Sequence, residues 1–441
     1  MARGTRLIRL FCVLAVLVSR PAFAQDTPLS FLLVNLIQAD IRLAPPPAGV
    51  LTHEAHFVPG ADQTLIPYIF NQQIVAQIAT FPIGSPTGGF AFTFDAASGT
   101  FQRATNSFGP AFADRALTNG RKKLTFGSNF QYSRYSSFEG AKLDSGDIKF
   151  YLEHENVPGD VFFEGDLVQA ALKLDLTSAT TTLFASYGVT DAFDVAVAVP
   201  IVRVSMDASI DATVLRLATG DTSTIHAFPG NATTQTLSDS GDASGIGDVL
   251  LRAKYRFASR PGGGLAAGID VRLPSGDSEE LLGTGATAAT FTLIGSASQG
   301  RLGPHFNVGF STAGDSDVAS LSNEVNYKIG TEFVASPAIT LSADLVGRSL
   351  IDAQGLQLSN VAHSYRSASG VVGSTTFQEY APRIPSGGGI LDGALNLVSL
   401  AVGGKFNVKK TLLINANILV ALNNAGLTAR FTPVIGFDYT F

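Results

Sequence analysis

From about residue 120 to Phe441 the chain alternates apolar and polar side chains with a period of two, and charges recur on the polar face. The final segment is the clearest case. Phe431, Pro433, Ile435, Phe437, Tyr439 and Phe441 share one face, against Arg430, Thr432, Val434, Gly436, Asp438 and Thr440. Val249, Leu251, Ala253, Tyr255 and Phe257 likewise oppose Asp248, Arg252, Lys254 and Arg256, and Ile269, Val271 and Leu273 oppose Asp270 and Arg272. Two more runs repeat the scheme: Tyr327, Ile329 and Phe333 against Lys328 and Glu332, and Ile339, Leu341, Ala343 and Leu345 against Thr340, Ser342, Asp344 and Arg348. A soluble core rejects such a charged face, whereas the wet interior of a transmembrane barrel accepts it while the greasy face meets lipid. Lipid satisfies no open sheet edge, so strands that span must close on themselves.

The alternation marks twelve strands, near 122–138, 166–189, 192–217, 245–258, 263–275, 288–299, 304–314, 321–334, 339–351, 393–407, 411–422 and 428–441. An even number suits a bacterial single-chain barrel. Fourteen is the alternative, if 166–189 hides a turn or residues 86–103 donate a hairpin. Short connections near 190–191, 260–262, 299–300, 336–337 and 409–410 alternate with long ones near 139–165, 218–244 and 352–392, which orients the short turns to the periplasm. One strand breaks its own rule: the apolar face runs through Val195, Val197, Val199 and Ile201 and then passes to Val202, Val204 and Met206, so Pro200 marks a bulge or the exit from the hydrocarbon layer.

The first 24 residues carry Arg3, Arg6 and Arg9, an apolar run from Leu10 to Val18 and the small-residue site Ala22-Phe23-Ala24, which reads as an export signal. The single cysteine, Cys12, lies inside it, so no disulfide framework is expected. Residues 1–24 are thus read as signal peptide, 25–120 as an N-terminal plug or periplasmic segment and 121–441 as an outer-membrane β-barrel. The 25–120 region lacks the alternation. Leu29, Leu32, Leu33, Leu36 and Ile37 have helical spacing, and a second helix is expected from Leu65 to Ala79. Phe90, Phe92, Phe94, Phe101, Phe108 and Phe112 follow among glycines and serines. Entering from the periplasmic side, this region either plugs the barrel or forms a small periplasmic domain that packs its own aromatics.

A net charge of −6 with scattered basic residues argues against nucleic acid as a partner. His53, Glu54 and His56 place two imidazoles two residues apart, whereas zinc hydrolase helices need them four apart, so a solvated loop is the simpler reading and no metal or cofactor is expected. His363-Ser364 is the nearest approach to a nucleophile with a base, but no carboxylate pattern accompanies it, and the chain is not read as an enzyme. Parity puts Lys173, Asp175, Asp194, Arg252, Lys254, Arg256, Asp270, Arg272, Lys328, Glu332, Asp344, Arg348, Arg430 and Asp438 in the lumen. Two readings stay open. The charges pair across strands and brace the barrel, or Arg252, Lys254, Arg256 and Arg272 form a basic wall for an anionic head group while Phe90, Phe92, Phe94, Phe101 and Phe108 contact an apolar body.

The stretch Ala185-Ser186-Tyr187-Gly188-Val189-Thr190-Asp191-Ala192-Phe193-Asp194-Val195-Ala196-Val197-Ala198-Val199-Pro200, followed by Gly245-Ile246-Gly247-Asp248-Val249-Leu250-Leu251-Arg252-Ala253-Lys254-Tyr255, resembles the outer-membrane transporter family described as "MetA-pathway of phenol degradation". The resemblance covers roughly residues 120 to 441 and implies passage of small aromatic or hydrophobic compounds. In layout, Phe81-Pro82-Ile83-Gly84 and Gly88-Gly89-Phe90 are similar to the plug of long-chain fatty-acid transporters. The expectation is an outer-membrane channel for passive uptake of small hydrophobic or aromatic molecules, with lipid and the permeant as partners and a monomeric state. A barrel that merely anchors partner-binding loops is the alternative, and an outer-membrane lipid hydrolase a more distant one.

Overall fold

The computed structural model describes residues 28–38, 41–44, 57–58, 66–85, 89–95, 100–154, 165–220, 225–351, 353, 355–367, 369–382, 394–409 and 411–441. Residues 1–24, read above as an export signal, and His53, Glu54 and His56 lie outside them. Twelve strands form the barrel: β1 (Leu124–Tyr135), β2 (Leu167–Gly188), β3 (Phe193–Leu215), β4 (Leu250–Arg260), β5 (Gly263–Arg272), β6 (Ala288–Ser296), β7 (Leu302–Ala313), β8 (Glu324–Ser336), β9 (Ile339–Leu350), β10 (Leu395–Lys409), β11 (Leu412–Ala421) and β12 (Phe431–Thr440). Each pairs antiparallel with the next, and β12 closes on β1 from Val434 opposite Gln131 to Thr440 opposite Thr125. Twelve is therefore the strand number. Phe92–Asp95 and Thr100–Arg103, the candidates for an extra pair, form a two-stranded hairpin of their own.

Side chains follow the expected polarity. Leu251, Tyr255, Phe291, Phe310, Ile329, Phe333, Ile435 and Phe437 are exposed on the outside, while Thr125, Asn129, Asp194, Lys254, Asn307, Glu332, Asp344, Lys405 and Asp438 are buried inside. No described helix is long and apolar enough to cross a membrane. A sheet with lipid-compatible residues outside and no free edge needs none.

The anomalous strand is resolved by length. β2 and β3 stay in unbroken register from Gly188 opposite Asp194 to Leu167 opposite Leu215, so there is no bulge at Pro200. Their lower halves pair with β1 and β4; their upper halves pair instead with Ile148–His154 and Thr234–Ile246, so the sheet continues beyond the barrel at the long-loop end. Above that level the outward positions become charged, with Arg203, Asp207 and Asp211 on β3. Lys173 and Asp175, expected in the lumen, belong to this outward set: Lys173 pairs with Asp211 at 2.7 Å and Asp175 with Arg134 at 2.6 Å, all half-exposed. Parity alone misassigned them, because the inward face there is apolar.

That apolar face meets the two helices, α1 (Leu29–Gln38) and α2 (Ile66–Ala79). Leu29, Leu33, Leu36, Ile37, Phe70, Ile74 and Val75 form one buried cluster with Leu172, Leu174, Met206 and Ile210 of the extended sheet and with Phe138 and Tyr380 of the long loops. Phe70 stacks edge-on against Phe138 at 4.5 Å. Burying each such side chain stabilises by about 1.5–3 kcal/mol, so this is the molecule's main soluble core. The helices thus sit at the extracellular end. The sheet extends beyond the membrane only there, so only there is an apolar surface available for them.

Candidate functional site

Between α2 and the start of β1 at Leu124, the described residues 80–85, 89–95 and 100–123 lie within the barrel or at its periplasmic mouth and are mostly irregular. Their buried backbone groups need partners, and inward side chains of the wall provide them. Arg272 donates to the Ala79 carbonyl at 2.9 Å, and Arg348 donates to the Thr80 carbonyl at 3.0 Å while pairing with Glu324 at 2.6 Å. Two arginines therefore cap the carbonyl end of α2, where cations are favoured. Lys328 donates to the Phe112 carbonyl at 2.8 Å and Lys254 to the Leu117 carbonyl at 2.7 Å.

Acceptors are placed as carefully. The backbone amides of Gly89, Phe108, Ala116 and Asn119 donate to Asp438, Thr340, Ser296 and Asp194 at 3.2, 3.1, 3.0 and 2.9 Å. Asn307 engages Asp114 twice, accepting its amide proton at 2.7 Å and donating to its carbonyl at 2.9 Å, as a neighbouring strand would. The Asp114 carboxylate also pairs with Arg252 at 2.7 Å, which grips Asp270 as well.

The residues expected to form a substrate path divide accordingly. Arg252, Lys254, Arg256 and Arg272 do face inward, with Arg256 donating to the Asp191 carbonyl at 2.8 Å in the periplasmic turn. All four hold the chain's own backbone or carboxylates. Phe90 and Phe108 pack edge-on at 5.5 Å with Leu413, while Phe92 and Phe101 lie near the periplasmic mouth under the Lys123 ammonium. Of Phe94 only the backbone is described. Arg115 clasps both ends of this phenylalanine hairpin, donating to the Gly89 carbonyl at 2.8 Å and the Ser107 carbonyl at 3.1 Å.

Arg430 corrects the lumen inventory a third time: it is exposed in the loop before β12 and lies over the Phe431 ring on the outside, 5.8 Å from its centroid. Lys405 and His305 are buried in the lumen and were missed. Lys405 shares parity with Ser399 and Ala401, so alternation would have found it; glycines at 403 and 404 blur the pattern. His305 bonds Asp344 at 2.7 Å and the Gly303 carbonyl at 3.1 Å. His363 and Ser364 follow one another in the extracellular strand Leu356–Arg366, where neighbours point to opposite faces, and His363 bonds the Gly165 carbonyl at 3.2 Å.

The two sequence motifs have structural work. A Cβ at Gly188 would overlap the carbonyl oxygen of Gly120, which has φ +94°, so close contact between these glycines admits the lumen segment to β1. Asp191 in the same motif accepts from Thr118 and Arg121, at 2.8 Å each. In the second motif Gly247 lies at a corner where a Cβ would come within 2.9 Å of Val202, and buried Asp248 accepts from the Gly276 and Thr284 amides at 3.1 and 2.8 Å.

A closed sheet with an apolar exterior and a polar, occupied interior defines a transmembrane β-barrel of the outer membrane. Within that class, residues 163–378 match the model of the family described as "Putative MetA-pathway of phenol degradation", so the resemblance holds across the span that contains both motifs. No match was found among curated proteins. Similar solved structures include an outer-membrane channel from Pseudomonas putida F1, at 14% identity over 74% of this chain and 97% of that one, with a TM-score of 0.43. A Pseudomonas aeruginosa FadL homologue aligns at 12% identity over 74% and 91% with a TM-score of 0.33, and the Ralstonia pickettii toluene transporter TbuX at 11% over 73% and 90% with a TM-score of 0.26.

Proposed function

We propose that the protein is a monomeric outer-membrane channel for passive uptake of small hydrophobic or aromatic compounds, with residues 25–120 as its plug and lipid against its apolar wall. The observation that carries this reading is the way the lumen is filled. A barrel serving only as an anchor can fill a narrow interior with wall side chains; here the wall is cut back to hydroxyls, amides and charges that bind an inserted backbone segment, as a removable stopper requires. The match to a family described by phenol degradation and the similarity to a toluene transporter support a small aromatic permeant. No catalytic role is assigned.

The test is uptake of radiolabelled toluene by cells lacking the protein, with and without the cloned gene. Restored uptake is expected at low external concentration. Equal rates in both strains, with the barrel folded in the outer membrane, would reject the reading. The alternative of loops that bind a partner draws support from Val371 and Val372, 64% and 68% exposed at the tip of an extracellular hairpin.

A further inference from the structure

Three exposed cations stand on the outside of the wall at its periplasmic turns, apart from the lumen segment. Arg260 closes β4 opposite Gly263, on the outward face that carries exposed Leu265. Lys409 closes β10 opposite Leu412, on the face of exposed Ile414. Arg301, in the turn between β6 and β7, reaches outward over the ring of Phe333, 5.8 Å from its centroid, and donates to the Ala335 carbonyl at 3.3 Å. Each has lipid-facing neighbours: Tyr255 and Phe257 beside Arg260, Leu302 and Phe333 beside Arg301, Phe406 and Val408 beside Lys409. Among the described residues of these turns the acid is Asp191, and Arg121 already holds it at 2.8 Å.

The extracellular end is built differently. Outward on β1 to β3, Arg134, Lys173 and Arg203 are each closed by an aspartate, at 2.6, 2.7 and 3.5 Å. Asp144, Asp207 and Asp239 add further negative charge around Lys173 and Asp175. Arg430 over Phe431 repeats the periplasmic arrangement at that end, but the face around it is already charge-balanced or acidic. A cation closed by a carboxylate offers an anion little. A cation above a lipid-facing ring, with no acid beside it, offers a phosphate its charge and its N–H donors while the ring meets an acyl chain. Aromatic rings at a barrel's edge lie at headgroup level, so these cations stand where lipid phosphates are. A soluble partner arriving from the periplasm would instead meet the mouth, where Lys123 lies over Phe92 and Phe101.

We infer that the outward periplasmic rim is a binding surface for anionic phospholipid, with headgroup phosphates on Arg260, Arg301 and Lys409 and acyl chains along the side chains beside them. The surface is separate from the lumen and does not depend on what the channel carries. It sets the height of the barrel in the membrane from the periplasmic side.

The chain contains no tryptophan, so Phe333→Trp places a single fluorophore beside Arg301. The variant is refolded into phosphatidylcholine vesicles that contain either brominated phosphatidylglycerol or brominated phosphatidylcholine at equal mole fraction. Quenching by the anionic lipid is expected to be the stronger, corresponding to about threefold tighter binding, and to become equal when Arg301→Gln is added. Phe310→Trp, toward the other end of β7, is expected to be quenched alike by both lipids. If Phe333→Trp does not fold, Phe406→Trp beside Lys409, with and without Lys409→Gln, makes the same comparison. Equal quenching by the two lipids at a folded rim reporter overturns the inference in favour of a soluble acidic partner for these cations. A preference that survives loss of the neighbouring cation, or that is as strong at Phe310→Trp, overturns it as well.

Discussion

Lumen residues were legible as inward-facing charges, but not as what they bind. Period two assigns a face, and it did so correctly for Arg252, Lys254, Arg256, Asp194, Asp344 and Asp438. It cannot tell where a strand leaves the membrane, so Lys173 and Asp175 were placed inside, and it cannot supply partners from a segment with no period at all. Asp114, which pairs with Arg252, was invisible for that reason. Lys254 illustrates the energetics. Lys254→Met would leave the Leu117 carbonyl without its donor and Asp194, 3.8 Å away, without its counter-charge, a loss of about 1–3 kcal/mol for an unsatisfied buried group. The variant should unfold at lower urea concentration than the parent in detergent, by tryptophan-free probes such as circular dichroism. An unchanged midpoint would mean that this bond is not needed to hold the lumen segment. Gly188→Ala should be far worse, because backbone on both sides prevents relief of the overlap with Gly120; failure of heat-modifiable gel mobility is the expected readout.

Strands and helices were largely readable as elements, since both signals are local periodicities; their positions relative to the membrane were not. The sequence left α1 and α2 in either a plug or a small periplasmic domain; they pack at the extracellular end, because the surface that receives them exists only where β2 and β3 outgrow the barrel. The lumen segment also divides into unequal parts. Amides of Asp114, Ala116 and Asn119 are bonded to wall side chains, whereas Thr100–Arg103 is exposed along its length. Hydrogen exchange should therefore be slow across 113–119 and fast across 100–103; uniform protection would contradict this division of the lumen segment. The extracellular cap has its own pH dependence. Burial pushes the Asp166 carboxyl up, but hydrogen bonds from His226 at 2.7 Å and from Thr219 and Ala218 outweigh it and hold it below the ordinary carboxylate range. A lowered carboxyl stabilises the fold at neutral pH and loses that contribution as pH falls through its folded value. Protease nicking of the 216–226 loop should rise on acidification, and Asp166→Asn should be nicked readily at neutral pH and remove most of the change.

At the scale of the whole molecule the barrel and the lumen segment are separable by topology. β12 closes on β1, and β1 begins only after the lumen segment has ended, so no barrel strand is lost if residues 25–119 are removed with residues 1–24 left in place. Removal does strip the wall of partners, exposing Arg252, Lys254, Lys328 and Lys405 as well as Asp194, Asp344 and Asp438 to water in the emptied lumen. Solvated charges of both signs cost far less than buried unpaired ones, so the shortened barrel is expected to assemble, less stably than the parent. Because the mixed wall carries no single sign, it should conduct salt with only weak preference between cations and anions. Planar-bilayer recordings decide the matter: steady conductance from the shortened protein against none or brief openings from the full chain is the expected contrast. Failure to assemble would make the segment part of the folding core, and an assembled barrel that conducts no better than the parent would show that the obstruction lies in the wall itself.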